Sequence, residues 1–381
     1  VHSASSCRRS RAKPPAMVTA KLKLVGGARD VPADTSTGPS RLTTVVAILA
    51  AVIFFTFVFL SARFLASLTD NARDAVTEAK RTSSTSSLGP GPALQSRGMS
   101  RVEEFLAFSN CSLNFFLAWT TAGDKFTLRY RRTLESTLKF HPQGCLIVYS
   151  PTLTLDYFQQ FWDMGYNIIV ERPDVPYLIA GTPAEKWYEG IEEWRKGQYF
   201  FSHITEIIRL ATLYKYGGVY LDTDVVVMQD LHDLHNVVGT ELAGSRGESK
   251  VLNGAVLLFD KGSRFIYESM VEFNTTYRID SWGWNGPELV TRVAGRFPRG
   301  AELRILPTIA FYPIHWAKVA KYFTDEDLED QHVVWDQMSK ETYLFHYWNK
   351  ITKKLVPQPG SLMYKVLNNY CLMCEETGED G

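Results

Sequence analysis

Residues 203–224 read HITEIIRLATLYKYGGVYLDTD, and no other stretch limits the possible folds as much. Ile207, Leu210 and Tyr214 recur at helical spacing, so a helix is expected to end near Tyr216. Gly217 stands where a helix stops in a left-handed residue, and Gly218 lets the chain turn into the next strand with no side chain in the way. The strand then runs from Val219 to Asp222. Earlier in the chain, strand-like runs at Ser112–Thr120, Cys145–Ser150 and 166–171 alternate with helical runs (125–142 and 155–165). A further apolar strand is expected over Ala255–Asp260, with helices near Arg264–Phe273 and Pro287–Phe297. This β-α-β-α-β order predicts an α/β fold with a mostly parallel sheet covered by helices on both faces.

The 381 residues do not all belong to that domain. Leu42–Ala62 is a run of 21 residues without a charge. As a helix it would be about 30 Å long, enough to cross a bilayer core. It lies too far from the N-terminus and is too long for a cleaved signal peptide, so an uncleaved anchor is expected. The chain opens on Val1, and Met17 is an alternative start. Eight basic residues precede residue 42 against Asp30 and Asp34, which favours a cytosolic tail. A Ser/Thr/Gly/Pro-rich stretch follows the span and reads as a flexible stem. The expected boundaries are therefore 1–41 tail, 42–62 transmembrane anchor, 63–102 stem and 103–381 luminal domain. Two sequons, at Asn110 and Asn274, lie beyond the span. Of the five cysteines, Cys111, Cys145, Cys371 and Cys374 also lie there, and they can form two disulfides in three connectivities. Cys371-x-x-Cys374 could be half a zinc site, but no second Cys/His pair completes it, which favours a disulfide. With 41 basic and 41 acidic residues there is no positive excess to draw nucleic acid.

Asp222 and Asp224 are two residues apart behind the Gly-Gly turn. In an extended segment both carboxylates face one side, at the carboxyl end of a strand where α/β sheets bind ligands. Three readings compete. The pair could be a solvated turn. It could be the first motif of an aspartate-nucleophile phosphatase, which matches YLDTDVV but wants a later acidic cluster that only TDEDLED (324–330) offers. Or it could hold a divalent metal against a nucleotide-sugar diphosphate.

RLATLYKYGGVYLDTD resembles the signature of glycosyltransferases with a GT-A fold and a D-x-D sugar-binding region. It is most similar to the α-1,4-galactosyltransferase and α-1,4-N-acetylglucosaminyltransferase group, including its plant members. NCSLNFFLAWT, HPQGCLIVYS, NGAVLLFDKG, WGWNGPELVTRVAG, AFYPIHW and FHYWNKITKKL resemble that group too, in the same order from Asn110 to Cys374. The resemblance implies a Golgi type II membrane glycoprotein that transfers galactose or N-acetylglucosamine from a UDP-sugar with retention. It also implies a glycolipid, glycoprotein or polysaccharide acceptor, and leaves room for a complex with other Golgi enzymes. A non-catalytic luminal scaffold is the alternative class.

The same resemblance assigns residues. Asp222 and Asp224 would bind Mn²⁺ (or Mg²⁺), with His346 as a late ligand. Arg209 would contact the donor, a reading favoured over a plain i,i+3 ion pair with Glu206 on the helix surface. Related enzymes usually carry Ser-Asp or Ser-Asn where this chain has Thr205-Glu206, so the carried-over role of Glu206 is open. If a nucleophile exists, Glu206 and Glu288 are the candidates. Donor contacts are expected from Gly218, the Val219-Tyr220 step, Asp222, Asn253, Asn285, Gly286 and Lys350. For Asn253 the plain reading is a turn, and for Asn285-Gly286-Pro287 an ordinary helix cap. Trp282, Trp284 and Trp348 could stack on sugar faces or fill the core.

Overall fold

A computed structural model describes residues 100–247, 249–298, 300 and 302–374. The tail, the Leu42–Ala62 run and the stem up to residue 99 lie outside the described residues. Among the described residues no helix is long and apolar enough to cross a membrane.

The first helix, α1 (Arg101–Ser109), starts two residues ahead of the expected domain boundary. Ser100 and Glu103 close a reciprocal capping box at its N-terminus. Among the described residues nine strands follow: β1 (Asn114–Ala118), β2 (Cys145–Tyr149), β3 (Asn167–Glu171), β4 (Gly218–Leu221), β5 (Val225–Val227), β6 (Val237–Ala243), β7 (Ser249–Phe259), β8 (Arg304–Leu306) and β9 (Leu344–His346). Seven of them form one sheet in the order β3-β2-β1-β4-β7-β6-β8, and β5 pairs with β9 in a second, two-stranded sheet. In the large sheet only β7 runs against the others, so the mostly parallel expectation holds.

The strand pleat sorts the apolar residues into two cores. Phe115, Leu117, Leu146, Val148, Val219 and Leu221 face one side of the sheet. Phe116, Ile147, Tyr149, Tyr220, Leu257 and Phe259 face the other. Helix α2 (Leu128–Phe140) packs on the first side through Leu134 and Leu138. Helices α3 (Phe200–Tyr216), α4 (Arg264–Thr276) and α5 (Pro287–Ala294) pack on the second. The first side is closed further by α6 (Leu328–Glu341) and α7 (Leu362–Asn369), which contribute Met338, Met363 and Val366. Burial on both faces is why the parallel strands read as unbroken apolar runs. Disulfides join Cys111 to Cys145, and Cys371 to Cys374. The second excludes a zinc role for the C-x-x-C pair, and the first pins the approach to β1 against the start of β2.

The glycine pair does its expected work by a different geometry. Gly217 has φ 68° and ψ 169°, so the chain leaves α3 extended instead of passing through a left-handed cap. A Cβ there would lie 2.6 Å from the Lys261 backbone nitrogen. Gly218, at φ 117°, is tighter: a Cβ would lie 2.3 Å from the Asn114 carbonyl oxygen. Gly218→Ala is therefore expected to cost about 3 kcal/mol, from backbone strain plus overpacking. A urea midpoint unchanged in that variant would contradict the argument.

Candidate functional site

The aspartate pair does not lie in an extended segment, as the sequence pattern implied. β4 ends at Leu221 and β5 begins at Val225, so Asp222-Thr223-Asp224 forms the turn between two different sheets. The carboxylates converge because that turn is anchored. Thr223 offers its carbonyl to the Thr133 hydroxyl (2.8 Å) and to the Tyr347 hydroxyl (3.3 Å), while Asp222 N–H donates to the Ala255 carbonyl (2.8 Å).

The third member arrives through the small sheet. β5 and β9 pair antiparallel with Val225 opposite His346, which places the imidazole beside Asp224. His346 Nε2 lies 3.2 Å from Asp224 Oδ1. Tyr347 N–H donates to the Asp224 carbonyl at 3.0 Å. The chain then turns through Trp348 in a left-handed conformation (φ 56°, ψ 54°), rare for a bulky residue, so that Asn349 N–H donates to Asp224 Oδ2 at 2.8 Å. Trp348 is fixed by its indole N–H on the Ile314 carbonyl and by its ring edge-on to His346. One ligand atom from each of Asp222, Asp224 and His346 lies within 4.8 Å of the others. Two carboxylate oxygens and one imidazole nitrogen make a donor set suited to a divalent cation such as Mn²⁺.

The electrostatics agree with that fit. Burial raises the Asp222 carboxyl above its ordinary range despite the Arg209 guanidinium, and Asp224 adds to the rise. Burial acts to raise Asp224 as well, but the charge of His346 and the bonds from His346 and Asn349 outweigh it and hold Asp224 low. His346 is raised: burial opposes its charge and the Asp224 carboxylate overcomes that. A cation held among the three relieves the repulsion between the carboxylates. His346→Ala is expected to weaken divalent-metal affinity by about 10- to 100-fold, at least the loss seen on removing an outer-shell partner. Titration calorimetry with Mn²⁺ measures it.

Arg209 joins this group from α3. It is 5% exposed, lies over the Tyr220 ring at 4.5 Å, and bonds Asp222 Oδ1 at 2.7 Å and Glu206 Oε2 at 2.9 Å. The expected i,i+3 ion pair is thus present, and Asp222 completes a three-charge row. Glu206 is pushed up to about 7, by burial first and the Asp222 charge next, against the pull of Arg209. Glycines 254 and 286 border the row. A Cβ on Gly254 would lie 2.7 Å from Arg209 Nη1, and one on Gly286 would lie 3.1 Å from Glu206 Oε1.

Other expected donor contacts are placed elsewhere. Gly218 begins β4, at the opposite end of the strand from Asp222, and serves the turn instead. Val219 is fully buried in the core, because the pleat turns it away from the strand end, and Tyr220 lies beneath Arg209. Asn285 is 1% exposed and uses its amide on His203, the carbonyls of Arg278 and Ser281, and the Arg278 N–H. It orders the loop before α5. Asn253 is buried, bonded to Glu241 and to the Ala255 N–H, in the strand next to the turn. Lys350 is exposed and rests on the Trp282 ring (5.0 Å) at the rim. Glu288 is also exposed. Of the three tryptophans only Trp282 offers an open surface, at 45% exposure. Trp284 is clasped between Arg278 and Arg292, and Trp348 is buried. Sequence reasoning missed Thr133, Tyr347 and Asn349, which hold the turn. For the last two the signal lay in the run FHYWNKIT around His346.

Residues 128–242 match the family described as a glycosyltransferase sugar-binding region containing a DXD motif, and residues 258–377 match the alpha 1,4-glycosyltransferase conserved region. An uncharacterized Arabidopsis thaliana protein is 38% identical over 287 residues, covering 72% of this chain and 44% of that protein's length. Mouse lactosylceramide 4-alpha-galactosyltransferase is 31% identical over 287 residues, 70% of this chain and 77% of the enzyme. Human alpha-1,4-N-acetylglucosaminyltransferase is 27% identical over 220 residues, 54% of this chain and 60% of that enzyme. The first family match carries Arg209, Asp222 and Asp224, and the second carries His346 and Asn349, the residues that the two sheets bring to one turn. On that likeness, sustained across most of the mouse enzyme, the chain belongs to the alpha 1,4-glycosyltransferase family.

Proposed function

We propose that this protein is a metal-dependent, retaining glycosyltransferase of GT-A type that moves galactose or N-acetylglucosamine from a UDP-sugar onto a glycan or glycolipid, in α-1,4 linkage. The observation that carries the reading is the convergence of Asp222, Asp224 and His346 at one turn beside Arg209. Both sugars come from the names of the relatives, and nothing in the site selects between them.

Asp222, Asp224 and His346 would hold Mn²⁺ or Mg²⁺. When bound, the cation neutralises the charge that builds on the departing diphosphate. Arg209 keeps Asp222 and Glu206 in place, and its fixed guanidinium adds positive potential where negative charge develops. Lys350, exposed at the rim on the Trp282 ring, would meet a phosphate once a donor enters. The leaving phosphate oxygen takes the proton of the attacking acceptor hydroxyl on the front face, so no second carboxylate is required. Glu206, held by Arg209 beside Asp222, is the candidate nucleophile, and a sugar trapped covalently on it would replace this front-face route.

Two disulfides suit an oxidising lumen, and Asn110 is exposed at the end of α1. Together with the Leu42–Ala62 run they support a single-span protein of the Golgi membrane with its catalytic domain in the lumen.

The test offers the protein Mn²⁺, a panel of UDP-sugars, and lactosylceramide and free glycans as acceptors, with UDP release as the readout. Release from one donor that chelator abolishes supports the proposal and names the sugar. A folded protein that binds UDP and Mn²⁺ yet releases nothing with any acceptor would point to a scaffold instead.

A further inference from the structure

A second cluster of ligating side chains lies at the far end of α2. His141 follows the last residue of that helix, bonded through its N–H to the Thr137 carbonyl. Its imidazole is fully buried against Phe115, and neither ring nitrogen has a hydrogen-bond partner. A buried imidazole with both nitrogens unanswered is unusual, because buried polar groups are almost always paired. Its Nδ1 faces Asp230 Oδ1 at 3.9 Å, and the His232 ring lies 5.0 Å away, centroid to centroid. Asp230 and His232 are exposed residues on the loop that follows β5. One ligand atom from each of the three lies within 4.8 Å of the others.

The surroundings are those of a held ligand set. Asp230 Oδ1 accepts the His232 N–H at 2.8 Å and lies 2.6 Å from His232 Nδ1. The other ring nitrogen, Nε2, lies 3.0 Å from the Ser112 hydroxyl. That arrangement turns Nδ1 toward Asp230, with an oxygen partner for the opposite nitrogen, as metal-binding histidines commonly have. Ser112 is itself fixed by its N–H on the Gln143 carbonyl, beside the Cys111–Cys145 disulfide. Oxygen and nitrogen ligands at 2.0–2.2 Å from a tetrahedral Zn²⁺ stand roughly 3.3 Å apart. The 2.6 Å and 3.9 Å separations from Asp230 Oδ1 bracket that spacing, and the two imidazoles, within 4.8 Å of each other, reach it by movement of the exposed His232 and Asp230 side chains.

We propose that His141, Asp230 and His232 form a second metal site, for Zn²⁺ or a similar late first-row divalent ion, with its fourth position open to solvent. Two imidazoles and one carboxylate favour such an ion over Mg²⁺ or Ca²⁺. The site is distinct from the aspartate turn: the two ligand sets share no residue, and β5 stands between Asp224 and Asp230. Its effect is structural. It ties the end of α2 to the end of β5, elements already joined by the Val227 N–H on the Ser136 hydroxyl (3.0 Å). Both carry parts of the turn, since Thr133 belongs to α2 and Asp224 leads into β5.

The experiment uses the full chain, stripped with chelator, in an Asp224→Asn background that removes the first site. Zn²⁺ is titrated calorimetrically, and Co²⁺ serves as the optical probe. The expected result is one equivalent of Zn²⁺, tetrahedral Co²⁺ bands, and a Tm rise of about 5 °C at saturating Zn²⁺. His232→Ala and Asp230→Ala, both at exposed positions, should each weaken Zn²⁺ binding about 100-fold while leaving the apo unfolding midpoint in place. No Zn²⁺ uptake, or uptake that neither substitution alters, would overturn the proposal. Neither readout uses donor turnover, so failure here leaves the glycosyltransferase reading standing.

Discussion

Asp224→Asn is expected to lower donor turnover by about 10³-fold, the scale of losing one preorganised charge-stabilising element. The substitution preserves shape, and an amide oxygen can still accept the Asn349 N–H that now bonds Oδ2 at 2.8 Å. What it removes is charge. His346 loses the neighbouring carboxylate that raises its pKa, and a divalent ion loses one of two anionic ligands. The fold should therefore survive, with an unchanged urea midpoint, while Mn²⁺ affinity and UDP release fall together. Excess Mn²⁺ should not restore the rate if Asp224 also orients the turn. Asp222→Asn makes a useful comparison, because it frees Arg209 as well and should cost stability in addition to activity. Full turnover by Asp224→Asn would remove the central assumption of the proposed chemistry.

Arg209→Leu is the second large effect, and it should appear first as instability. The guanidinium is buried between Glu206 and Asp222, both partly exposed, so deleting it leaves two neighbouring carboxylates without their cation. Breaking a fully buried pair in this way costs about 4 kcal/mol, and the partial exposure of both acids brings the expected loss to about 2 kcal/mol. The loss should depend on pH in a definite direction. Glu206 already holds its proton up to about 7 with Arg209 present, and would hold it higher without it. An acid whose folded pKa lies above its unfolded value destabilises the fold at pH above that folded pKa, and the penalty fades as pH drops toward about 4.5. Chelator-treated Arg209→Leu should thus approach wild-type stability on acidification, and Glu206→Gln added to it should restore part of the loss at pH 7. A deficit that grows as the pH falls would show that these charges are not its source.

Much of this architecture could be read from residue order, and the exceptions have physical causes. β1, β2 and β4 were recognisable because strands buried on both faces are continuous apolar runs, and β3, an edge strand with only Ile168 buried, keeps the apolar run Ile168-Ile169-Val170. β5 and β9 were not, since each has three residues and exists only through the other. β8 is as short, and β6 was hidden by its irregular pairing to β7, where the register shifts three times. In the site, Asp222, Asp224, His346, Arg209 and Glu206 could be named in advance because charge in an apolar setting needs partners. Gly218, Val219 and Asn285 lie away from the aspartate turn for reasons that residue order does not show. A strand separates its two ends, its pleat buries alternate residues, and a buried amide turns inward.

The pairing of β5 with β9 also bears on how this site comes into being during synthesis. Asn349 bonds to Asp224 across 125 residues of chain. A ribosome has therefore made the whole large sheet before it delivers the residues that complete the ligand set. A nascent chain that stops short of Leu344 would carry both aspartates and no site, so a truncated product folding around its sheet would be inert toward metal. Competence for chemistry comes last, after the scaffold that must support it.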